Sequence, residues 1–274
     1  MKRILVPTDF SKHAEEALKS AVQTAKKNGS EIFLLHLLEL PHQLHDAMTN
    51  GSSIPEVMLF IKKAHEKLQK IKEQPHLQGI TISTTVQFER AFDGILSFNK
   101  KNNIDLIVMG SSGSSGIEEM LIGSNTEKVV RLSDIPVLVV KKDLDTFNIK
   151  NIVFASDFTK EIKKPFLKMI EFANIFDANL ALVMICTPNS FKTTAIAEKT
   201  MKDFIADFEV KNYSINIYND SNIEKGIRNF TNTIGADLIG LCTHGRTGLS
   251  HFFNGSIGED LVNHSTKPVI TFKI

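Results

Sequence analysis

Three glycines at one strand-to-helix junction are the residues best suited to chemistry. Gly110 and Gly113 stand in the run Met109-Gly110-Ser111-Ser112-Gly113-Ser114-Ser115-Gly116, and Gly123-Ser124-Asn125-Thr126 follows after a short apolar stretch. Before them lies Ile104-Asp105-Leu106-Ile107-Val108, which has the apolar, β-branched character of a buried parallel strand. After them, Glu127 to Leu132 carries apolar residues at helical spacing. Backbone N–H groups at such a junction point outward, and the helix dipole adds positive potential, so anions bind there. The chemistry expected is retention of a nucleotide phosphate.

Glycine also serves wherever the chain must turn through positive φ, which accounts for one or two of the three. Gly-Lys-Ser/Thr does not follow the loop and Gly-x-Gly-x-x-Gly is absent, which excludes the P-loop and the dinucleotide fingerprint. Ser124 and Glu127 have the spacing of a capping box, as do Ser256 and Glu259. A cap of that kind leaves N–H donors over for an anion. Asp9, after the first strand, is read either as a turn residue or as a ligand residue on the same sheet edge as the glycines. No residue of the loop has the neighbours of a general base or nucleophile, so no catalytic residue is assigned. His13, His42, His45, His65 and His76 form no spaced cluster with acidic or thiol partners, and no metal site is expected.

The elements that position these residues follow from periodicity. Lys2 to Val6 is a strand, broken by Pro7-Thr8-Asp9-Phe10, with Ser11 as N-cap of a helix to about Lys27. Asn28-Gly29 stops that helix, and Glu31 to Leu38 is a second strand. A polar loop leads to a helix from Pro55 to about Glu73, with Val57, Phe60, Ile61, Ala64, Leu68 and Ile71 on the inward face. A strand at 80–88, a short helix at about 93–101, the strand before the glycines, a helix, and Pro136-Val137-Leu138-Val139-Val140 complete the unit. Alternating strands and helices require a mostly parallel sheet with right-handed crossovers.

The pattern then repeats. Lys150-Asn151-Ile152-Val153-Phe154-Ala155-Ser156-Asp157-Phe158-Thr159 repeats the first strand and turn, with Asp157 in the place of Asp9, an offset of 148 residues. Leu180 to Cys186, Ala236 to Cys242 and Pro268 to Phe272 repeat the second, fourth and fifth strands. Thr243-His244-Gly245-Arg246 and Gly255-Ser256 repeat the glycine loop at an offset of 132, so ~16 residues are lost between, chiefly from the loop after Pro41. Cys242 stands where the first glycine belongs. That leaves three readings of a second anion site built from Asp157, Gly245, Arg246, Gly255 and Ser256: empty, altered, or still competent with the Arg246 guanidinium as a phosphate-pairing cation. The domains expected are 1–142, with the intact motif, and 149–274, with the diverged one.

At 274 residues, with 42% hydrophobic and 23% charged residues, the chain has the composition of a soluble globular protein of two domains. A net charge of +1 gives no electrostatic basis for nucleic-acid or membrane-surface binding. Two cysteines give neither a disulfide framework nor metal spacing, no apolar run approaches membrane-spanning length, and a cytoplasmic location is the default.

With the halves superimposed, the sequence resembles the universal stress protein family in its tandem two-domain form, over essentially the whole chain. The family motif, Gly, two residues, Gly, nine residues, Gly and Ser or Thr, is met in full by Gly110, Gly113, Gly123 and Ser124; the second half keeps Gly245, Gly255 and Ser256. Pro7-Thr8-Asp9-Phe10-Ser11 also matches the first-strand signature. The resemblance implies an α/β fold of two tandem flavodoxin-like, Rossmann-like domains, each a five-stranded parallel sheet with helices on both faces. It implies an adenine nucleotide at the strand C-termini, usually ATP, with Mg²⁺ as an optional companion. By position, Pro7, Thr8, Asp9 and Leu37 match the nucleoside-holding residues, and Met109, Gly110, Gly113, Gly123, Ser124, Asn125 and Thr126 the remainder. The family commonly associates through its fifth strands, which in a tandem chain gives an intramolecular pseudo-dimer and leaves a homodimer open.

The expected function is that of a cytoplasmic stress-response protein whose bound nucleotide tunes stability or association, with slow ATP hydrolysis at most. The alternative is a nucleotide-independent structural partner, as some family members lack nucleotide. An adenylyl-transferring enzyme is disfavoured, since Pro7-Thr8-Asp9 stands where such enzymes carry a Ser-Gly-Gly-type loop.

Overall fold

The computed structural model describes residues 1–39, 54–111, 122–141, 147–243 and 261–274. The first half supplies β1 (Arg3–Pro7), α1 (Lys12–Asn28), β2 (Glu31–Leu38), α2 (Ile54–Lys72), β3 (Ile82–Phe88), α3 (Ala91–Asn102), β4 (Leu106–Gly110), α4 (Ser124–Leu132) and β5 (Val137–Val140). The second supplies β6 (Asn151–Ala155), α5 (Lys163–Phe176), β7 (Asn179–Cys186), α6 (Thr194–Ile205), β8 (Tyr213–Asn219), α7 (Ile223–Thr233), β9 (Leu238–Thr243) and β10 (Val269–Lys273). Each half is thus an α/β unit around its own five parallel strands.

The strands form one ten-stranded sheet in the order β3-β2-β1-β4-β5-β10-β9-β6-β7-β8. Every neighbouring pair is parallel except β5 and β10, which meet antiparallel with Val139 opposite Val269 and Val137 opposite Thr271. Ile4, Leu5, Leu106, Ile107, Val137 to Val140, and Ile152 to Phe154 are essentially without solvent contact, because helices cover both faces. Burying each such side chain contributes about 1.5–3 kcal/mol. One face's core runs from Ala17 and Leu18 of α1 to Phe166, Met169 and Phe172 of α5, so the two halves share it. Where they join, the Phe147 N–H donates to Gln23 Oε1 at 3.1 Å, and the Phe147 ring lies 5.7 Å from that of Phe176.

The duplication extends to backbone detail. At the N-terminal edge of the sheet, Asp105 Oδ2 accepts from the N–H groups of Lys2 (2.6 Å) and Arg3 (3.0 Å). Asp237 Oδ2 accepts in the same way from Lys150 (2.8 Å) and Asn151 (2.9 Å). Ser11 caps α1 by accepting from Ala14 N–H, and Gly29 ends it in the left-handed conformation, as their residue types require.

Two expectations change. Phe60 faces outward and is 47% exposed, with Met58 and Leu59 beside it also exposed, because α2 lies over β3, the edge strand, which offers little surface to cover. The shortening of the second half is shared by a helix as well as a loop: α6 has 12 residues where α2 has 19.

Candidate functional site

The C-terminal ends of β1, β2 and β4 and the starts of α1, α3 and α4 surround a cavity of about 270 Å³. Ten of the eleven residues singled out in the first half line it. Pro7, Thr8 and Asp9 come from the turn after β1, Leu37 from β2, Met109 and Gly110 from β4, and Gly123 to Thr126 from the start of α4. The eleventh, Gly113, lies outside the described residues, as do Gly245, Arg246, Gly255 and Ser256 of the second half.

The turn after β1 is held by its own side chains. Phe10 has a positive φ of 65°, fixed by Thr8 Oγ1 accepting from Phe10 N–H at 3.1 Å and Asp9 Oδ1 accepting from Ser11 N–H at 3.0 Å. Thr8 N–H donates to Leu35 O at 2.8 Å, which ties the turn to β2. His36 Nδ1 lies 2.8 Å from Thr8 O, and a carbonyl can only accept, so Nδ1 carries the proton. Burial holds the His36 pKa below its usual value, opposed by that hydrogen bond. Asp9 therefore has the turn role open to it from its sequence position, while the residue, exposed, also lines the cavity.

The start of α4 corrects the capping-box expectation for Ser124. The N-cap is Gly123, with φ −64° and ψ 142°, and no side chain caps the helix. Glu127 N–H donates to Gly123 O at 3.0 Å, so Ser124 is already the first helical residue. The N-cap is chosen by backbone conformation, and the extended Gly123 takes it one residue ahead of the serine. The Ser256 counterpart lies outside the described residues. With no side chain among the described residues bonding the first-turn N–H groups, more donors remain at this end of the cavity than a capping box would leave. Thr126 is buried, and its Oγ1 donates to Gly110 O at 3.0 Å, locking α4 onto the end of β4.

Gly110 has a packing reason for its identity. A Cβ there would lie 2.7 Å from the backbone carbon and oxygen of His13, in the first turn of α1. Only a residue without a side chain lets α1 come so close, and this approach brings Ala14 to the cavity wall.

Ala14, Leu35, Glu39, Ala91 and Ile95 also line the cavity and were not singled out from the sequence. Glu39 Oε1 accepts from Ala91 N–H at 2.8 Å, satisfying the start of α3, whose own N-cap residue Arg90 makes no side-chain cap. The signal that could have found the two alanines is the repeat. At its offsets, Ala14 corresponds to Ile162, Ala91 to Ile223 and Gly110 to Cys242.

Cys242 holds the register of Gly110. It pairs with Phe272 as Gly110 pairs with Val140. Its thiol is fully buried, and burial, assisted by the charge of Asp157, pushes its pKa far above the ordinary thiol value. Such a thiol stays protonated and inert. The segment matching the first turn of α1 is a 3₁₀ turn, Lys160–Ile162, with α5 beginning at Lys163. Ile162 is 1% exposed and joins an aromatic core that includes Phe158 and Phe166, while Ile223 packs on the opposite face. The turn itself persists: Phe158 has φ 57°, and Ser156 Oγ accepts from its N–H at 3.0 Å. Among the described residues no cluster of three or more His, Cys, Asp or Glu could hold a metal ion. No helix among them is long and apolar enough to cross a membrane.

The model of the universal stress protein family matches residues 1–141 and 215–273. The chain is 34% identical over 142 residues to universal stress protein MJ0531 of Methanocaldococcus jannaschii, which covers 52% of this chain and 82% of that protein. It is 22% identical over an aligned length of 296 residues to universal stress protein Slr1230 of Synechocystis, covering all of both chains. The crystal structure of a universal stress protein from Archaeoglobus fulgidus shares its fold, with a TM-score of 0.79 at 21% identity over 99% of this chain and 98% of that one. With motif, duplicated fold and family model in agreement over most of its length, the chain belongs to the universal stress protein family.

Proposed function

We propose that this protein binds one adenine nucleotide, ATP in the first instance, in the cavity of its first half. The observation that carries this reading is the convergence of Pro7, Thr8, Asp9, Leu37, Met109, Gly110 and Gly123 to Thr126 on one cavity at the strand C-termini. The cavity, about 270 Å³, sits just below the ~300–1,000 Å³ of pockets that enclose drug-sized ligands. That suits the nucleoside end, held by Leu37, Ile95 and Met109 as apolar walls and by Asp9 and Glu39 as acceptors for base or ribose donors. The phosphates are assigned to the start of α4, where Gly123, Ser124 and Asn125 offer backbone N–H groups and the helix dipole favours negative charge. Gly113 is assigned to the same phosphate cradle, and Mg²⁺ would accompany the phosphates.

The rest of the proposal follows from the duplication. Residues 1–142 and 149–274 are taken as the two domains, and the antiparallel β5–β10 pairing joins them as a pseudo-dimer within one chain. Asp157, Gly245, Arg246, Gly255 and Ser256 are a remnant of a second site, narrowed by Ile162, Ile223 and Cys242. A cytoplasmic protein whose nucleotide state tunes its stability or its association with partners, with slow hydrolysis at most, fits this arrangement.

The test is to denature the purified protein and to quantify released nucleotide per chain. About one adenine nucleotide per chain is expected. None, even after incubation with ATP and Mg²⁺, would favour the nucleotide-independent partner protein instead.

A further inference from the structure

The approach to Gly123 is held from two directions. Gly123 N–H donates to Ser111 O at 2.8 Å, within the first half. Ile122 N–H, one residue earlier, donates to Asn263 Oδ1 at 2.9 Å, and Asn263 lies 141 residues away in the second half. Asn263 is itself fixed. Lys141, the residue after β5, reaches across with its ammonium to the carbonyl of Val262 and, at 3.4 Å, to that of Asn263. Beyond them Ser265 N–H donates to Leu261 O at 2.9 Å, and Ser265 Oγ accepts from Lys267 N–H at 3.0 Å, which fixes the turn into β10. A closed circuit results: β5 to Lys141, to residues 262 and 263, to Ile122, and back to β4 through Gly123 and Ser111.

The circuit runs one way. At the offset of the repeat, Asn263 corresponds to Arg131. A guanidinium carries donors only and cannot accept from a backbone N–H, so the first half has no side chain able to return this contact from that position. Lys141 corresponds to Lys273, whose Nζ lies 2.7 Å from Asp134 Oδ1 as an exposed pair worth little. Lys141 is mostly buried, and burial lowers its pKa to about 8. Its partners there are the carbonyls of Val262 and Asn263, which tie β5 to the turn before β10.

We infer that Asn263 is a positioning residue for the first cavity, supplied by the second half. It fixes Ile122 and hence the N-cap Gly123, so that the N–H groups at the start of α4 stand ready for the phosphates. This rests on the nucleotide reading above. The second half then braces the start of α4 from outside the cavity, whose described lining comes from the first half alone.

The test uses the full chain. Asn263→Ala is compared with wild type by amide hydrogen exchange at Ile122 without nucleotide, and by calorimetric titration with ATP. Loss of one hydrogen bond should speed exchange at Ile122 and weaken ATP binding, each by about three- to tenfold, with the thermal midpoint nearly unchanged. Asn263→Asp keeps an acceptor and should restore Ile122 protection. Lys141→Met leaves Asn263 in place but releases its segment, and should lose protection as Asn263→Ala does. Equal Ile122 exchange in wild type and Asn263→Ala would overturn the bridge. Lost protection with undiminished ATP affinity would overturn the positioning role. If wild type bound no ATP while Asn263→Ala still lost protection, the bridge would stand and the nucleotide reading would fall.

Discussion

The two halves of this chain build the same turn, the same sheet edge and the same register, and then fill the same place differently. In the first half Ala14, Ala91 and Gly110 stand around a cavity. In the second, Ile162, Ile223 and Cys242 occupy the matching positions, and Ile162 and Cys242 are buried. Neither the strands nor the aspartates after them distinguish the halves. Among the described residues, three small ones do, each replaced by a larger side chain at the matching position of the second half. On the proposed reading, the larger residues of the second half add to its core where the first half leaves room. A second exchange of size lies nearby in the same strand: Gly240 stands where the first half has Val108, and Met169, in the place of Ala21, fills the space with its sulfur 2.7 Å from where a Cβ would be.

Transplanting the second half's residues into the first is the strongest way to break this contrast. Gly110→Cys puts a Cβ against the His13 backbone, which cannot move aside as a side chain would. It should destabilise the chain by about 1–3 kcal/mol in urea unfolding and remove calorimetrically detectable ATP binding. Ala14→Ile with Ala91→Ile should separate the two effects. Filling the cavity with apolar groups should cost at least about tenfold in ATP affinity while stability stays within about 1 kcal/mol of wild type. Unchanged affinity in that double variant would show that the ligand lies elsewhere.

The aspartates at the far edge of the sheet sharpen the comparison from its other side. Asp105→Ala and Asp237→Ala each remove a carboxylate accepting from two backbone N–H groups. Each should lower stability by about 1–2 kcal/mol, and neither should alter nucleotide affinity much. A large effect of one and none of the other would mean that the halves do not share their scaffold energetics.

The smallest expected effect is a pH dependence from His36 in the first half. Burial, with the charge of Lys67, holds the His36 pKa below 6.5, against the pull of the Thr8 carbonyl and Asp9. The unfolded chain therefore binds more protons than the folded one as pH falls through about 6.5, so stability declines below that pH and levels off once the folded pKa is passed. His36→Gln should shrink that part of the profile of urea midpoints, leaving the share of His76, whose pKa burial also lowers.

Much of this was legible in the sequence, because strands and helices here are set by periodicity and by punctuation such as Ser11, Gly29 and Pro136. The residues after β1 and β4 were legible for the same reason: the chain order alone puts them on one sheet edge. Ala14 and Ala91 were not legible within their own half, since an alanine in a helix is explained by propensity; only comparison with Ile162 and Ile223 at the repeat offsets marks them. Glu39 was hidden because it satisfies a helix start 52 residues away. Ser124 was misplaced by one position because side-chain type was used to locate a cap that backbone conformation decides. Phe60 was misread because an amphipathic stripe does not say how much sheet lies beneath it. Asn263 had no local signal, since its role depends on the β5–β10 junction.

Counting nucleotide sites by calorimetric titration of ATP into the nucleotide-free chain tests the central claim most directly. The account predicts a stoichiometry near one per chain, abolished or strongly weakened by Ala14→Ile with Ala91→Ile. A stoichiometry near two, or one site that survives this filling of the first cavity, would contradict it.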